Sequence, residues 1–203
     1  MPIPIVVCTV DDKCLPVLKS SVKAYAPNVD LISHKVERST FGECYNAAMS
    51  EAFKTHDEII ISNDDVVLTP TTYNTLIEDV NELKHQHGQL LGLVGACSDN
   101  VRNEQNIRYN DLTKTVKLRA ISPLFAWVSK HAFQFAQFPH INWFSDDLMC
   151  EDLNISGFTH YVSRAYVHHA GSQTIGKDTH KLYLDAIKWI EINRPEYLAL
   201  FKR

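Results

Sequence analysis

The chain has 203 residues, 45% hydrophobic and 22% charged, which is the profile of an ordinary soluble globular protein with one domain as the default. Its formal net charge of −4 argues against sequence-independent binding to nucleic acid, which needs a basic surface. No apolar stretch approaches the roughly 18 residues of a membrane-spanning helix, so the sequence predicts no membrane span.

The N-terminus and the cysteines predict a cytoplasmic protein. The apolar run that begins at Ile3 has no basic leader and meets Asp11 directly after Val10, so it predicts a buried first strand rather than a signal peptide. The 5 cysteines are scattered and form no Cys-x-x-Cys pair. That pattern is typical of a reducing compartment, where most cysteines serve as small buried apolar residues.

Strand and helix patterns alternate regularly along the first half of the chain. Four strands are predicted, from a continuous apolar run at residues 3–9 and from short strand patterns near 29–36 and at 57–62 and 90–96. Three helices are predicted between these strands, over residues 12–25, after Thr40 and after Thr69. This alternation predicts an α/β fold, a three-layer α/β/α sandwich with a mostly parallel central sheet and right-handed crossovers.

Two of these helix starts carry capping signals. Thr40 and Glu43 form a capping-box signature, in which each residue's side chain bonds the other's backbone N–H. Thr69 is the predicted N-cap of the third helix, with Pro70 in its first position, where a missing N–H costs nothing. Both signals predict sharp helix starts directly after strands or short loops.

The regular alternation of strands and helices is lost in the second half of the chain. A polar, aperiodic stretch covers residues 98–115. The elements predicted after it are a strand at 116–121, helices at 129–137 and 145–157, a strand at 161–168 and a C-terminal helix from Asp178. No repeat, low-complexity segment or linker is present, so the sequence predicts a single domain over residues 1–203.

Three oxygen-bearing side chains follow the third predicted strand. Asn63, Asp64 and Asp65 come directly after its apolar β-branched residues. In an open α/β sheet the ligand crevice lies outside the carboxyl ends of the strands, where carboxylates are well placed to hold Mg²⁺ or Mn²⁺. The alternative is a simple turn, for which Asn and Asp are equally suited.

An acidic run opens the helix predicted at 145–157. Asp146, Asp147, Glu151 and Asp152 lie within seven residues, and Asp147 shares a helical face with Glu151. A carboxylate here could act as a general base beside a substrate. The alternative is structural, because acidic residues also stabilise the positive end of a helix dipole.

A pair of histidines ends the last predicted strand. His168 and His169 point to opposite faces of that strand, so one of them is expected to enter any given site. Imidazole binds Mn²⁺ and Zn²⁺ alongside carboxylates, although a histidine is also common as a surface or hydrogen-bonded residue. Gly171 and the hydroxyl residues after it predict a loop able to fold over a phosphate.

This order of motifs resembles the inverting nucleotide-sugar glycosyltransferases of the GT-A fold, in particular glycosyltransferase family two, over roughly residues 3–175. The resemblance implies a single GT-A-like domain. Its parts would be a nucleotide-binding half at 1–97, an acceptor-binding and catalytic half at 98–175, and C-terminal helices at 176–203. The family includes many small stand-alone bacterial and viral enzymes.

The resemblance also implies roles for individual residues. Asp65 would be the direct metal ligand, with His169 favoured over His168 as the second, and the catalytic base would be Asp146 or Asp147. The residues implied to bind the nucleotide-sugar donor are Thr9, Asp11, Asn46, Asn63 and Asp64. The family's Asp-x-x-Ser-x-Asp run after the second strand is missing. The stretch from Ser33 to Ser39 replaces it, with Glu37 as a further candidate for donor binding, so the donor nucleotide stays open.

The function implied is a metal-dependent, inverting transfer of a hexosyl or pentosyl unit from a nucleotide-diphosphate sugar to an acceptor hydroxyl. The metal would be Mn²⁺ or Mg²⁺, and the acceptor a glycan, a small molecule or, for a viral enzyme, a hydroxylated DNA base. Two alternatives come from other classes of protein. One is a metal-dependent phosphoesterase or nuclease, and the other is a non-catalytic nucleotide-sugar binding module.

Overall fold

A computed structural model of the protein describes residues 2–10, 13–37, 39–171 and 179–201. The strands are Ile5–Thr9 (β1), Leu31–Lys35 (β2), Glu58–Ser62 (β3), Val66–Leu68 (β4), Leu91–Ser98 (β5), Val116–Leu118 (β6), Phe125–Ser129 (β7) and Thr159–His169 (β8). The α-helices are Leu15–Tyr25 (α1), Phe41–Ala52 (α2), Thr72–His87 (α3), Lys130–Phe135 (α4), Ser145–Ile155 (α5), Thr179–Asn193 (α6) and Leu198–Phe201 (α7). Within these described ranges, no helix combines the length and hydropathy needed to cross a membrane.

All eight strands belong to one sheet. Its order is β2-β1-β3-β7-β5-β8-β4, and β6 also pairs with β8. Strands β1, β2, β3, β5 and β8 run in one direction, while β4, β6 and β7 run against them. The predicted α/β fold with a mostly parallel central sheet is confirmed.

Strand β7 lies in the middle of the sheet and was not predicted. It pairs antiparallel with β3 on one side and with β5 on the other. Phe125, Ala126, Trp127 and Val128 are all buried, so the strand shows no polar alternation and its apolar run cannot be told from a helix by pattern. This antiparallel strand separates β3 from β5 within a sheet that is otherwise mostly parallel, as predicted.

Helices cover both faces of the sheet and make the predicted three layers. One core cluster joins α1 and α3 to one face, with Leu18 and Leu76 fully buried in it. A second cluster joins α2, α4 and α5 to the other face, around Met49 and Leu153. A third, smaller cluster packs α6 and the segment after it against α5.

The two predicted helix caps have different outcomes. The capping box of α2 is confirmed, since the Thr40 hydroxyl accepts from the Glu43 backbone N–H and the Glu43 carboxylate accepts from the Thr40 N–H. The N-cap prediction for α3 was wrong, because that helix begins at Thr72 with Thr71 as its N-cap. Thr69 instead donates its backbone N–H to the Thr72 hydroxyl at 2.8 Å, so it belongs to the preceding turn.

A fully buried histidine joins the sheet to α5. The His160 Nδ1 accepts from the Leu93 N–H at 2.9 Å, and Nε2 lies 3.1 Å from the Cys150 carbonyl, to which it donates. Burial is the main cause that lowers the pKa of His160 to about 4 from 6.5. The imidazole is therefore neutral in the folded protein throughout the mildly acidic range.

The low pKa of His160 predicts an acid-sensitive fold. Unfolded chains protonate this histidine near pH 6.5 and the folded protein only near pH 4, so stability is present above pH 6.5 and is lost as the pH falls towards 4. Between pH 7.5 and 5 the loss from this group is about 2 kcal/mol. Urea unfolding of His160→Gln should show a correspondingly smaller pH dependence than the unaltered protein. An equal dependence in the two would contradict this, and His85→Gln, on exposed α3 surface, is the control.

Candidate active site

Polar side chains from four strands meet at one edge of the sheet. The parallel strands β1, β3, β5 and β8 all end at this edge. Thr9 ends β1, Asp64 and Asp65 follow β3, Asp99 follows β5, and His169 ends β8. The strand-end crevice expected for an α/β sheet is therefore lined by carboxylates, an imidazole and a hydroxyl.

The turn after β3 is held in place from several sides. The Asn63 N–H donates to the Leu124 carbonyl at 2.9 Å, and the Tyr45 hydroxyl donates to the Ser62 carbonyl at 2.6 Å. The Thr9 hydroxyl donates to Asp64 Oδ2 at 2.9 Å. Asp64 and Asp65 are only 7% and 8% exposed, unlike the side chains of a solvated surface turn. Buried carboxylates of this kind need compensating charge or hydrogen bonds.

Asp65 faces His169 across the ends of β3 and β8. The Asp65 Oδ1 lies 3.2 Å from His169 Nε2, although the geometry there does not make a regular hydrogen bond. The two buried side chains make a close polar contact. Burial lowers the pKa of His169, but the contacts with Asp65 and the Asn100 carbonyl outweigh it and raise the pKa above its ordinary value.

The tautomer of His169 suits a metal ligand. Its Nδ1 donates to the Asn100 carbonyl at 2.7 Å, so in the neutral ring Nε2 carries the lone pair and lies 3.2 Å from Asp65 Oδ1. Two lone pairs in such contact repel each other unless a proton or a cation lies between them. A backbone carbonyl on the other ring nitrogen is the usual partner of a metal-bound histidine.

The spacing of the two side chains also fits a divalent ion. Neighbouring ligands of an octahedral ion with bonds of about 2.1 Å are about 3.0 Å apart, close to the 3.2 Å between Asp65 and His169. Within the described residues, no group of three or more His, Cys, Asp or Glu side chains is close enough to hold a metal ion. The two residues fit a metal whose remaining ligands come from a substrate and water.

The neighbouring His168 lies on the opposite face of β8. Its exposed ring pairs with the Asp99 carboxylate, while the other Asp99 oxygen accepts from the His169 backbone N–H at 3.0 Å. Asp99 therefore holds the end of β8 through both histidines. The placement agrees with the preference for His169 over His168, and the metal role itself stays a prediction.

The segment from Asp99 to Arg102 connects this corner with the acidic start of α5. Asn100 bonds His169, as described above, and Arg102 pairs with Asp146 at 3.0 Å and with Asp147 at 2.7 Å. Sequence reasoning treated residues 98–115 as a polar loop and missed this role. The available signal was the one used for Asp65, since Asp99 and Asn100 also follow the carboxyl end of an apolar strand.

The two carboxylates at the start of α5 are both partly buried, and both pair with Arg102. Burial first, and then the neighbouring charge of Asp146, raise the pKa of Asp147 to about 6, although Arg102 opposes the rise.

Phe144, the N-cap of α5, has a φ of 64°, in the left-handed region that bulky residues seldom adopt. Its ring packs 4.6 Å from that of Phe201, so the packing of the C-terminal segment supports the start of the helix.

The other residues implied to bind the donor have varied positions. Asn46 donates to the Phe138 carbonyl at 2.7 Å and accepts from the Phe138 N–H at 3.1 Å, so its amide holds α2 to the segment after α4. Glu37 is exposed beyond the end of β2. Asp11 lies outside the described residues. Donor binding by these three residues stays a prediction.

A cleft of about 420 Å³ opens beside Thr9 at the same edge. Its lining combines two lysines and two hydroxyls with a small apolar surface, from Thr9, Leu15, Pro16, Lys19, Ser33 and Lys35. The two lysines and the Ser33 hydroxyl are groups that bind phosphate oxygens, whereas the Thr9 hydroxyl donates to Asp64. No carboxylate of the described residues lines this cleft, in keeping with the missing acidic run after the second strand.

No protein-family model matches the sequence, and no curated relative does. GalNAc-T7, solved with UDP, GalNAc and Mn²⁺, is similar in structure, with a TM-score of 0.64 at 10% identity, over 98% of this chain and 49% of that one. S. aureus TarS 1–349, in complex with UDP-GlcNAc, gives 0.60 at 14% identity over 99% and 71%. The A197 protein from STIV gives 0.54 at 11% identity over 80% and 81%.

The chain has a GT-A-type fold. Sequence identities of 10–14% show this likeness at the level of the fold. In the GT-A fold of this chain, the turn after β3 carries Asp64 and Asp65, and β8 ends at His169. The fold that the motifs implied is thus the fold that the structure has.

Proposed function

We propose that this chain is a metal-dependent, inverting glycosyltransferase that moves a sugar from a nucleotide-diphosphate donor to an acceptor hydroxyl. The observation that carries the proposal is the joined site at the strand ends. The segment from Asp99 to Arg102 contacts both a buried carboxylate–imidazole pair and a partly buried acid with a raised pKa. Cation binding and proton removal are the two tasks that such a transfer needs.

The donor is proposed to bind in the cleft beside Thr9. Lys19 and Lys35 favour the diphosphate, and Leu15 with Pro16 offer an apolar surface to the base. Thr9 links this cleft to Asp64, which we place against the ribose or the sugar. The similar structures of TarS and GalNAc-T7 contain UDP-GlcNAc and UDP, respectively, which supports a nucleotide-sugar donor.

Asp147 is proposed as the general base. As the acceptor hydroxyl attacks the anomeric carbon, the bond to the diphosphate breaks and the hydroxyl proton passes to the Asp147 carboxylate. A pKa of about 6 keeps Asp147 mostly ionised at neutral pH while leaving it basic enough to take a proton. A divalent ion held by Asp65 and His169 would stabilise the charge of the leaving diphosphate. A single displacement of this kind inverts the anomeric configuration.

A donor screen tests the proposal directly. We expect one class among UDP, GDP, CDP and TDP sugars to raise the melting temperature of the protein in the presence of Mn²⁺, because a ligand that binds only the folded state stabilises it. The same donor should then be consumed with glycans, small alcohols or DNA containing hydroxymethylated bases as acceptors. Stabilisation by no nucleotide sugar, or cleavage of phosphodiesters without a donor, would contradict a transferase.

Arg102 predicts a shift in the pH dependence of transfer. Its charge lowers the pKa of Asp147, so Arg102→Ala should raise that pKa above about 6 and move the acidic limb of kcat/KM to higher pH. The matched control is Arg119→Ala, which removes a bidentate partner of Glu151 on the same helix, at 2.7 and 2.8 Å. An unmoved limb in Arg102→Ala, or an equal shift in both variants, would exclude Asp147 as the titrating base.

A further inference from the structure

A buried asparagine lies behind the segment that contacts His169. Asn106 is 8% exposed and follows the short helical turn Asn103–Gln105. It forms an isolated parallel bridge with Ser98, and the backbone N–H of Ile107 donates to the Ser98 carbonyl at 2.9 Å. The backbone at Asn106 is therefore fixed to the last residue of β5, directly before the segment that contacts His169.

The Asn106 amide bonds the backbone on both sides of Asn100. Its Nδ2 donates to the Val101 carbonyl at 2.8 Å and to the Asp99 carbonyl at 3.2 Å. Its Oδ1 accepts from the Arg108 backbone N–H at 3.0 Å. Both N–H bonds of the amide group are thus used. A flipped amide would place its oxygen against two carbonyl oxygens, so these partners fix the orientation of the side chain.

Asn100 lies between these two fixed carbonyls and contacts the end of β8 and the residues after it at two points. Its own carbonyl accepts from His169 Nδ1 at 2.7 Å. Its side chain packs against Gly171, where an added Cβ would come within 1.8 Å of Asn100 Nδ2 and the φ is +80°. Both contacts depend on the course of the backbone at Asn100, and Asn106 holds that backbone from either side.

A second buried asparagine in the same loop has a purely local set of partners. Asn110 is 7% exposed, and its Oδ1 accepts from the Leu112 N–H at 2.9 Å. Its Nδ2 donates to the Glu104 carbonyl at 3.4 Å. These bonds join one part of the loop to another, and none of them reaches the residues around Asn100. The two amides are therefore matched in burial and differ in whether their partners lead to His169.

We propose that Asn106 is a positioning residue for the metal ligand His169 and acts through the Asn100 carbonyl. That carbonyl orients the His169 ring and binds its Nδ1 proton, which leaves Nε2 for a divalent ion. Asn106 keeps the carbonyl in place. Partners of this kind behind a metal ligand usually change metal affinity by about 10- to 100-fold. The inference rests on the proposed metal role of Asp65 and His169 and extends it to a residue outside the strand ends.

The affinity for Mn²⁺, measured without turnover, tests this role. Free Mn²⁺ is followed by electron paramagnetic resonance in the presence of UDP, and Asn106→Ala should bind the ion about tenfold more weakly than the unaltered protein. Asn110→Ala removes a buried amide from the same loop. It should lose stability in urea unfolding to a similar extent but bind Mn²⁺ with unchanged affinity. Asn106→Ser, which leaves a hydroxyl beside the two carbonyls, is the second variant and should weaken binding in the same direction.

A double variant tests whether the effect passes through His169. When His169→Gln is already present, Asn106→Ala should weaken Mn²⁺ binding no further. The proposal is overturned by unchanged Mn²⁺ affinity in Asn106→Ala, by an equal loss in Asn110→Ala, or by a further loss in the double variant. Loss of Mn²⁺ binding in Asp65→Asn with full binding in Asn106→Ala would remove only the role of Asn106. If the unaltered protein binds no Mn²⁺ with UDP, the proposed metal site is refuted and this inference with it.

Discussion

Asp147→Asn is expected to lower kcat by about 10²- to 10⁴-fold, the usual contribution of a general base, while the donor still binds. Asparagine keeps the shape of the side chain at the start of α5 but cannot accept the proton of the acceptor hydroxyl. Steady-state transfer measures the loss, and donor-induced stabilisation in a thermal melt measures the binding. The two readouts distinguish a missing base from a damaged donor site.

The neighbouring carboxylate is the internal comparison for that variant. Asp146→Asn removes a like charge that raises the pKa of Asp147, so its acidic limb should move to lower pH with a smaller loss of activity. Glu151→Gln, about one turn along the same helix and paired with Arg119, should leave kcat almost unchanged. If Asp146→Asn shows the large loss and Asp147→Asn does not, the base has been assigned to the wrong carboxylate. Near-normal activity in both would exclude this helix as the catalytic element.

The second large effect is expected from Asp65→Asn, which should reduce transfer by about 10²- to 10³-fold, the size seen for loss of one charge-stabilising group. The variant removes the carboxylate that faces His169 at 3.2 Å, and with it half of the proposed metal-binding pair. Metal binding by this variant can also be measured without turnover. Mn²⁺ should raise the melting temperature of the unaltered protein in the presence of UDP, and this shift should be lost in Asp65→Asn.

An exposed carboxylate provides the matched control for Asp65. Glu51 lies on the solvent side of α2 and pairs only with Lys54 among the described residues, so Glu51→Gln should keep both the activity and the Mn²⁺ shift. Full activity and an undiminished Mn²⁺ shift in Asp65→Asn would remove the metal role from this residue.

Local patterns were sufficient to predict most elements and the fold class. The capping box at Thr40 and the strand ending before Asn63 depend on residues close in sequence, and the structure has both. Strand β7 was not predicted, because its side chains are buried on both faces and the strand lacks the alternation of apolar and polar residues that marks a half-exposed strand. Thr69 was misassigned because a threonine before a proline suits a turn as well as a helix start.

The candidate site shows the same division between local and long-range information. Asp65, Asp147 and His169 each stand out by their position next to an element end, and the structure brings Asp65 and His169 into contact. Arg102 has no such signal, because its partner Asp146 is 44 residues away and only the folded chain places them together. Asn46 shows the reverse, since a residue nominated for the donor is engaged with the Phe138 backbone.

The place of β7 in the sheet has a consequence for the order of folding. β3 carries Asp65 at its end and β5 carries Asp99, but the two strands do not pair with each other. β7, which comes later in the chain than both, fills the gap and bonds to each. Contacts so distant in sequence form slowly, because the intervening chain must first be closed into loops. The Asp65 and Asp99 sides of the site should therefore come together in one late step. During refolding, donor binding should appear only when the environment of Trp127 in β7 becomes native.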